Sequence, residues 1–373
     1  MRRLIAVLLL LAACGRVCAA SASEPFHVAA KGAVLIDADS GRVLFAQNAD
    51  RRLPMASTTK VMTALLALEN ASLDEKVTAG KNAAGVPGTS LYLSRGETLS
   101  MEHMLYGLML RSGNDAAVAV AEHIAGSVPA FADMMNAKAE ALGANAHFVN
   151  PHGLDADGHG ISALGLALVM REAMKNADFR KITGTRRKII PWVGNEYSRV
   201  LENKNRLLKT YAGATGGKTG YTGKAGRCLV FSAERDGLSL IGAVLNCPTW
   251  FDTAAVILDY GFENFRSEVA LERGQPIDTV AVRGGVSASV EIVADAPLRT
   301  AVPIGEHIII ERRLPKQIEA PVEAGQPIGT ALLKAGGRAL AECRLVAASS
   351  VRRRDLWASV IQLLRGWILR FQA

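Results

Sequence analysis

The chain has 373 residues, 43 Lys+Arg against 35 Asp+Glu for a formal net charge of +8, and 49% hydrophobic residues. That length and apolar content suit one large domain with a smaller second one, and exclude a disordered or fibrous protein. The positive balance would permit nucleic-acid binding, but the arginines are scattered, only six tyrosines occur and no RNA-binding motif is present, so no nucleic-acid partner is expected.

Read from the N-terminus, Met1-Arg2-Arg3, an apolar stretch over residues 4–13 and small residues through Ala22 form a secretory signal. Residues 1–22 are therefore expected to be removed, with Ala20-Ser21-Ala22 as the cleavage site. The stretch is too short to span a membrane permanently. Leu11-Ala12-Ala13-Cys14-Gly15 also reads as a lipobox that would place a lipid on Cys14. Either outcome puts the mature chain outside the cytoplasm.

Next comes Ser57-Thr58-Thr59-Lys60, after Pro54 and before an apolar run over residues 61–68 that predicts a helix. Ser and Lys at i and i+3 share a helix face, and a serine hydroxyl is a weak nucleophile until a base takes its proton. A helix entry also has free N–H groups that favour a developing oxyanion. For Lys60 to be the base it must be neutral, which burial and a second cation such as Lys218 would promote. Ser112-Gly113-Asn114 precedes a helical pattern over residues 115–124, so Ser112 can relay a proton and the Asn114 amide can bind a carbonyl. Lys218-Thr219-Gly220 leads into a predicted hairpin, residues 228–233 and 238–245 around Asp236-Gly237. A glycine on an edge strand admits a substrate backbone, while Lys218 and Thr219 offer donors to a carboxylate. Each motif alone is ordinary, a solvated helix face, a turn or a strand end. Their order and spacing together match the serine β-lactamase and penicillin-binding signature.

Past the signal, Cys228, Cys247 and Cys343 remain, an odd number without metal spacing. Across a two-residue turn Cys228 faces about Leu245, leaving Cys247 diagonal and out of bridging reach, so buried free thiols are expected. His152 and His159 lack a zinc-ligand pairing and are read as loop hydrogen-bonders; neither a metal nor another cofactor is expected.

Near Phe265 the pattern changes. Short alternating runs at residues 280–282, 289–293, 308–310 and 331–333, separated by Gly and Pro, predict a small β-rich domain over residues 266–351. Within it Glu272-Arg-Gly-Gln-Pro-Ile277 echoes Glu323-Ala-Gly-Gln-Pro-Ile328, both read as turns. In the last segment Asp355, Ser359, Gln362, Gly366 and Arg370 form a polar stripe opposite Leu356, Val360, Leu363, Leu364, Trp367 and Phe371. Behind the basic run Arg352-Arg353-Arg354, residues 352–373 are expected to lie in an anionic membrane interface; packing on the chain's own domain is the alternative.

Residues 54–65, 110–117, 150–155 and 217–226 closely resemble the D-alanyl-D-alanine carboxypeptidases, the low-molecular-mass penicillin-binding proteins of the peptidase S11 type. The resemblance runs from about Val34 to Phe265, more weakly beyond. It implies an α/β (α+β) serine β-lactamase/penicillin-binding-protein-like transpeptidase fold over residues 23–265, an antiparallel sheet flanked by helices, followed by a small C-terminal β-sandwich. It implies Ser57 as acyl-ester nucleophile, Lys60 as proton acceptor, Ser112 and Asn114 as a second catalytic element, and Lys218, Thr219, Gly220 and Tyr221 as substrate-binding residues. The N–H groups of Ser57 and Tyr221 would form the oxyanion hole. The implied substrate is a peptidoglycan stem peptide, β-lactams would inhibit, and the site of action would be the outer face of a bacterial cytoplasmic membrane, in wall biogenesis and cell shape.

Two departures stand out. The arginine that enterobacterial members carry after the hairpin is missing from residues 247–255, so the carboxylate is expected to rest on Lys218, Thr219 and Ser112. Gly165 stands where an Asp is commoner and is read as structural. A β-lactamase is the first alternative, although its deacylating glutamate is matched only by Glu172, in a pattern with Lys175 in place of Leu. A catalytically silent wall-binding protein is the second.

Overall fold

A computed structural model of the chain describes residues 26–354 and residue 360. The expected signal, its Cys14 and nearly all of the amphipathic segment lie outside the described residues. The chain forms two compact units that divide between Glu263 and Asn264.

The first unit is built on a five-stranded antiparallel sheet, in the order Val43–Gln47, Gly32–Asp37, Leu238–Leu245, Gly226–Arg235, Ala214–Thr222. All six residues of Gly32–Asp37 are buried, because the sheet is covered on both faces and the strand reads as a continuous apolar run instead of an alternating one. Val34 and Ile36 join the main core with the helix Ala163–Ala173. Leu35 points the other way, towards Gly261 of the helix Trp250–Asn264, where an added Cβ would come within 2.7 Å of it. The hairpin turns at Asp236 and Gly237 with φ of 49° and 75°, the left-handed pair that a two-residue turn between twisted strands requires. Between the second and third strands in sequence the chain inserts a helical block, Lys60–Asn70, Met101–Tyr106, Asn114–Ala125 and Val128–Ala141 among it.

Cys228 and Cys247 are free and buried, as is Cys343. The strand register extends to oppose Cys228 and Leu245, as the turn length predicts. Gly165 belongs to a cap: its N–H donates to Ser162 Oγ at 2.9 Å, and an added Cβ would meet that oxygen and Asn145 N at 3.0 and 3.1 Å.

The second unit is mostly strand. Phe265–Leu271 pairs with Leu298–Pro303, and a six-stranded sheet runs Ile308–Arg313, Pro327–Ala335, Arg338–Ala347, Ser289–Ala294, Pro276–Arg283, Gln317–Glu319. Leu271, Leu298 and Val302 of the small sheet share one core with Ile292, Leu333 and Leu345 of the large one. The two echoed motifs form the same turn: Glu272 N–H donates to Gln275 Oε1 at 2.9 Å and Glu323 N–H to Gln326 Oε1 at 3.0 Å. Pairing continues through the basic run, with Val286 N–H donating to Arg352 O and Arg354 N–H to Gly284 O. Among the described residues no helix is long and apolar enough to cross a membrane.

Candidate active site

Ser57 lies in a 3-10 turn, Ala56–Thr59, that runs directly into the helix Lys60–Asn70. Two threonine hydroxyls close the turn by bonding back to the main chain, Thr58 Oγ1 to Met55 O at 2.6 Å and Thr59 Oγ1 to Ala56 O at 2.8 Å. The helix is buried along Lys60 to Ala67, which carries the Lys60 side chain into the interior.

Lys60 Nζ has three oxygen neighbours: Ser57 Oγ at 2.9 Å, Asn114 Oδ1 at 2.7 Å and the His152 carbonyl at 2.6 Å. Burial, then the charges of Lys218 and Lys204, holds its pKa well below the usual lysine value, against a smaller upward pull from Asp115. A neutral amine has two hydrogens and one lone pair. Asn114 Oδ1 and His152 O can only accept, so each takes a Lys60 hydrogen, and a neutral Lys60 would turn its lone pair to Ser57 Oγ.

Each partner is held in turn. Asn114 Nδ2 donates to Pro87 O at 2.6 Å, which fixes which end of the amide faces Lys60. The His152 carbonyl is presented by an Asn150 turn, whose Oδ1 accepts from Gly153 N–H at 2.7 Å and whose Nδ2 donates to Leu154 O at 2.9 Å. Asp115 accepts from the N–H groups of Leu91 and Leu93, each at 3.0 Å, and from Ser90 Oγ at 2.6 Å, organising residues 90–93. That segment is tied to the hairpin Arg187–Ile190 and Arg199–Glu202 by buried Arg199, which pairs with both oxygens of Glu97 and donates to Leu91 O.

Ser112 is buried and left-handed, φ 71°, at the end of the turn Gly107–Arg111. Its Oγ accepts from Lys218 Nζ at 3.1 Å, and Lys218 also donates to Thr219 O at 2.9 Å. Burial, with Lys204 adding to it, lowers the Lys218 pKa to about 7. Lys218, Thr219 and Gly220 lie on the edge strand Ala214–Thr222, which passes across the Ser57 turn. A Cβ on Gly220 would stand 2.9 Å from Ser57 N, so only glycine permits this approach. Tyr221 follows with an exposed side chain.

The eight residues singled out from the sequence thus gather around one point: Ser57 and Lys60, Asn114 against Lys60, Ser112 against Lys218, and the Lys218 strand beside Ser57. Sequence reasoning missed the His152 carbonyl, Asp115, the Glu97–Arg199 pair and Lys204. A carbonyl carries no side-chain signal, and Lys204 acts through its charge on Lys60 and Lys218. Glu172, the one residue that suggested a β-lactamase, pairs with Lys175 at 2.6 Å and with none of these groups.

Residues 18–249 match the family described as D-alanyl-D-alanine carboxypeptidase, and residues 265–353 the family described as penicillin-binding protein 5, C-terminal domain. The chain is 35% identical over 357 residues to D-alanyl-D-alanine carboxypeptidase DacF of Bacillus subtilis, covering 92% of this chain and 91% of that protein. It is 31% identical over 369 residues to DacA of Escherichia coli K12, covering 91% and 88%. Among solved structures it resembles penicillin binding protein 5 from Haemophilus influenzae, with TM-score 0.79, 30% identity, and 89% of this chain and all of that one covered.

Proposed function

The chain belongs to the D-alanyl-D-alanine carboxypeptidases, serine-type hydrolases of the penicillin-binding class, and on that footing we propose that Ser57 is the acylated residue and Lys60 its base. The observation that carries this is the buried Lys60 amine standing 2.9 Å from Ser57 Oγ. The Ser57 hydroxyl passes its proton to Lys60 as its oxygen attacks the carbonyl between the two terminal D-alanines of a peptidoglycan stem peptide. The tetrahedral oxyanion collapses, the C–N bond breaks, and the departing amine takes up the proton that Lys60 received from Ser57. Water then cleaves the Ser57 ester. Ser57 N–H and Tyr221 N–H are the oxyanion donors in this reading. Lys218, Thr219 and Ser112 hold the terminal carboxylate, with the Lys204 charge felt at Lys218.

A β-lactam presents a strained amide to the same hydroxyl, so labelled penicillin should form a stable adduct that maps by mass to Ser57, and a peptide ending in D-Ala-D-Ala should release D-alanine. A label on another residue overturns the assignment of Ser57. Rapid loss of label with hydrolysed penicillin would instead indicate a β-lactamase, and absence of both label and D-alanine a silent binding protein.

Membership of this family supports action outside the cytoplasm. Residues 1–22 are read as the secretory signal and residues 355–373 as an in-plane anchor on the outer face of the cytoplasmic membrane, a later start than residue 352 because residues 352–354 pair with 284–286. Because main-chain pairing runs through Arg354, the truncation that tests the anchor is made after that residue. It should leave activity on soluble peptide intact and abolish sedimentation with anionic vesicles.

A further inference from the structure

We infer that His159 is a positioning residue for acyl transfer: acting through Thr59, it fixes the plane of the Ala56–Ser57 peptide so that the Ser57 N–H is aimed at the reacting carbonyl. The inference rests on Ser57 as nucleophile and goes beyond it to how the oxyanion donor is held.

The direction of the hydrogen bonds is determined. Val149 N–H donates to His159 Nδ1 at 3.0 Å, so Nδ1 carries no hydrogen and the ring's hydrogen is on Nε2. Nε2 lies 3.0 Å from Thr59 Oγ1 and donates to it, which turns the Thr59 hydroxyl towards its remaining acceptor, Ala56 O, at 2.8 Å. His159, Thr59 and Ala56 are buried. The ring sits edge-on to Phe148 at 6.0 Å. Burial, then His147, lowers its pKa to about 4 against a smaller upward pull from Asp155, so the neutral form that this chain of bonds requires is the one present at neutral pH.

The carbonyl at the end of the chain matters because of where it stands. Ala56 has φ 48°, a conformation that disfavours a residue with a Cβ, immediately before the nucleophile. Its oxygen is hemmed in by Gly153, where an added Cβ would lie 1.9 Å away. Peptide planarity ties the Ala56 C=O to the Ser57 N–H, so a tilt of one misdirects the other. The same backbone nitrogen is the atom that Gly220 approaches.

The test measures β-lactam acylation of the full chain, separating the acylation rate constant from the dissociation constant of the encounter complex. Wild type is mapped first: failure to label Ser57 removes the nucleophile assignment itself, a result distinct from anything the variants show. Thr59→Val and His159→Leu should each slow acylation about tenfold to a hundredfold with the encounter constant unchanged. The double variant should be no slower than the slower single, because both cut one chain. Thr59→Ser and His159→Gln, which keep a donor and an acceptor, should recover most of the rate. If His159→Leu does not fold, Thr59→Val against Thr59→Ser carries the test. Wild-type acylation by folded Thr59→Val, additive losses in the double variant, or a loss confined to the encounter constant overturns the inference.

Discussion

Replacing Gly220 by alanine tests how closely the Lys218 strand is set against the Ser57 turn. The new Cβ would lie 2.9 Å from both Met55 O and Ser57 N and 3.0 Å from Thr58 N. All are main-chain atoms of one turn, with no flexible end to move aside. Restoring ordinary contact requires strand and turn to part by roughly half an ångström, and overpacking of this kind costs about 1–3 kcal/mol of stability. The displacement falls on the N–H of Ser57 and on the spacing between Ser57 and Lys218. Since misplacement by about 1 Å costs about a hundredfold in rate, the expected loss in acylation is roughly tenfold or more. Stopped-flow acylation by a chromogenic β-lactam and a thermal melt read the two effects. Gly223→Ala is the control, because a Cβ there meets nothing within 4 Å. Wild-type acylation and melting by Gly220→Ala would refute the reasoning, and equal losses in both variants would trace the effect to backbone stiffness.

If Lys218 holds the substrate carboxylate as proposed, Lys218→Ala should reduce turnover of a peptide acid far more than that of the matching peptide amide; equal losses would place the carboxylate elsewhere. Stability should rise with pH from about 7 upward, since over that range the unfolded chain holds the Lys218 proton and the folded chain does not. Lys60, depressed by burial, adds in the same sense. Lys218→Met should flatten that rise in the denaturation midpoint, and an unaltered slope would mean that folded Lys218 stays charged. Arg199→Met should cost about 3–5 kcal/mol in denaturant unfolding, because it leaves the Glu97 carboxylate buried and unpaired. A loss under 1 kcal/mol, as expected for a surface pair such as Lys175–Glu172, would mean that water reaches Glu97.

The sequence by itself determined what is local. Ser57 and Lys60 meet because one turn of helix puts residues three apart on one face, and Asn114 opens a helix just after the turn that Ser112 ends. The Asp236-Gly237 turn and the two Glu-x-Gly-Gln-Pro-Ile turns were legible because each is closed by its own residues. The family, and with it the acyl-transfer chemistry, was legible because the motifs around Ser57, Ser112 and Lys218 stand in a distinctive order.

What joins these pieces was decided only by the tertiary structure. Gly32 pairs with Leu245 from the far side of the chain, since a sheet buried on both faces gathers apolar strands regardless of their separation in sequence. The pKa of Lys60 is lowered because the fold surrounds its helix and brings Lys218 and Lys204 near it, and neither burial nor the sum of distant charges can be read from a tetrad. The carbonyls of His152 and Ala56 have no side-chain signature at all. His159 read as a loop histidine because its partners, Val149 and Thr59, become neighbours only when the loop closes over the Ser57 turn.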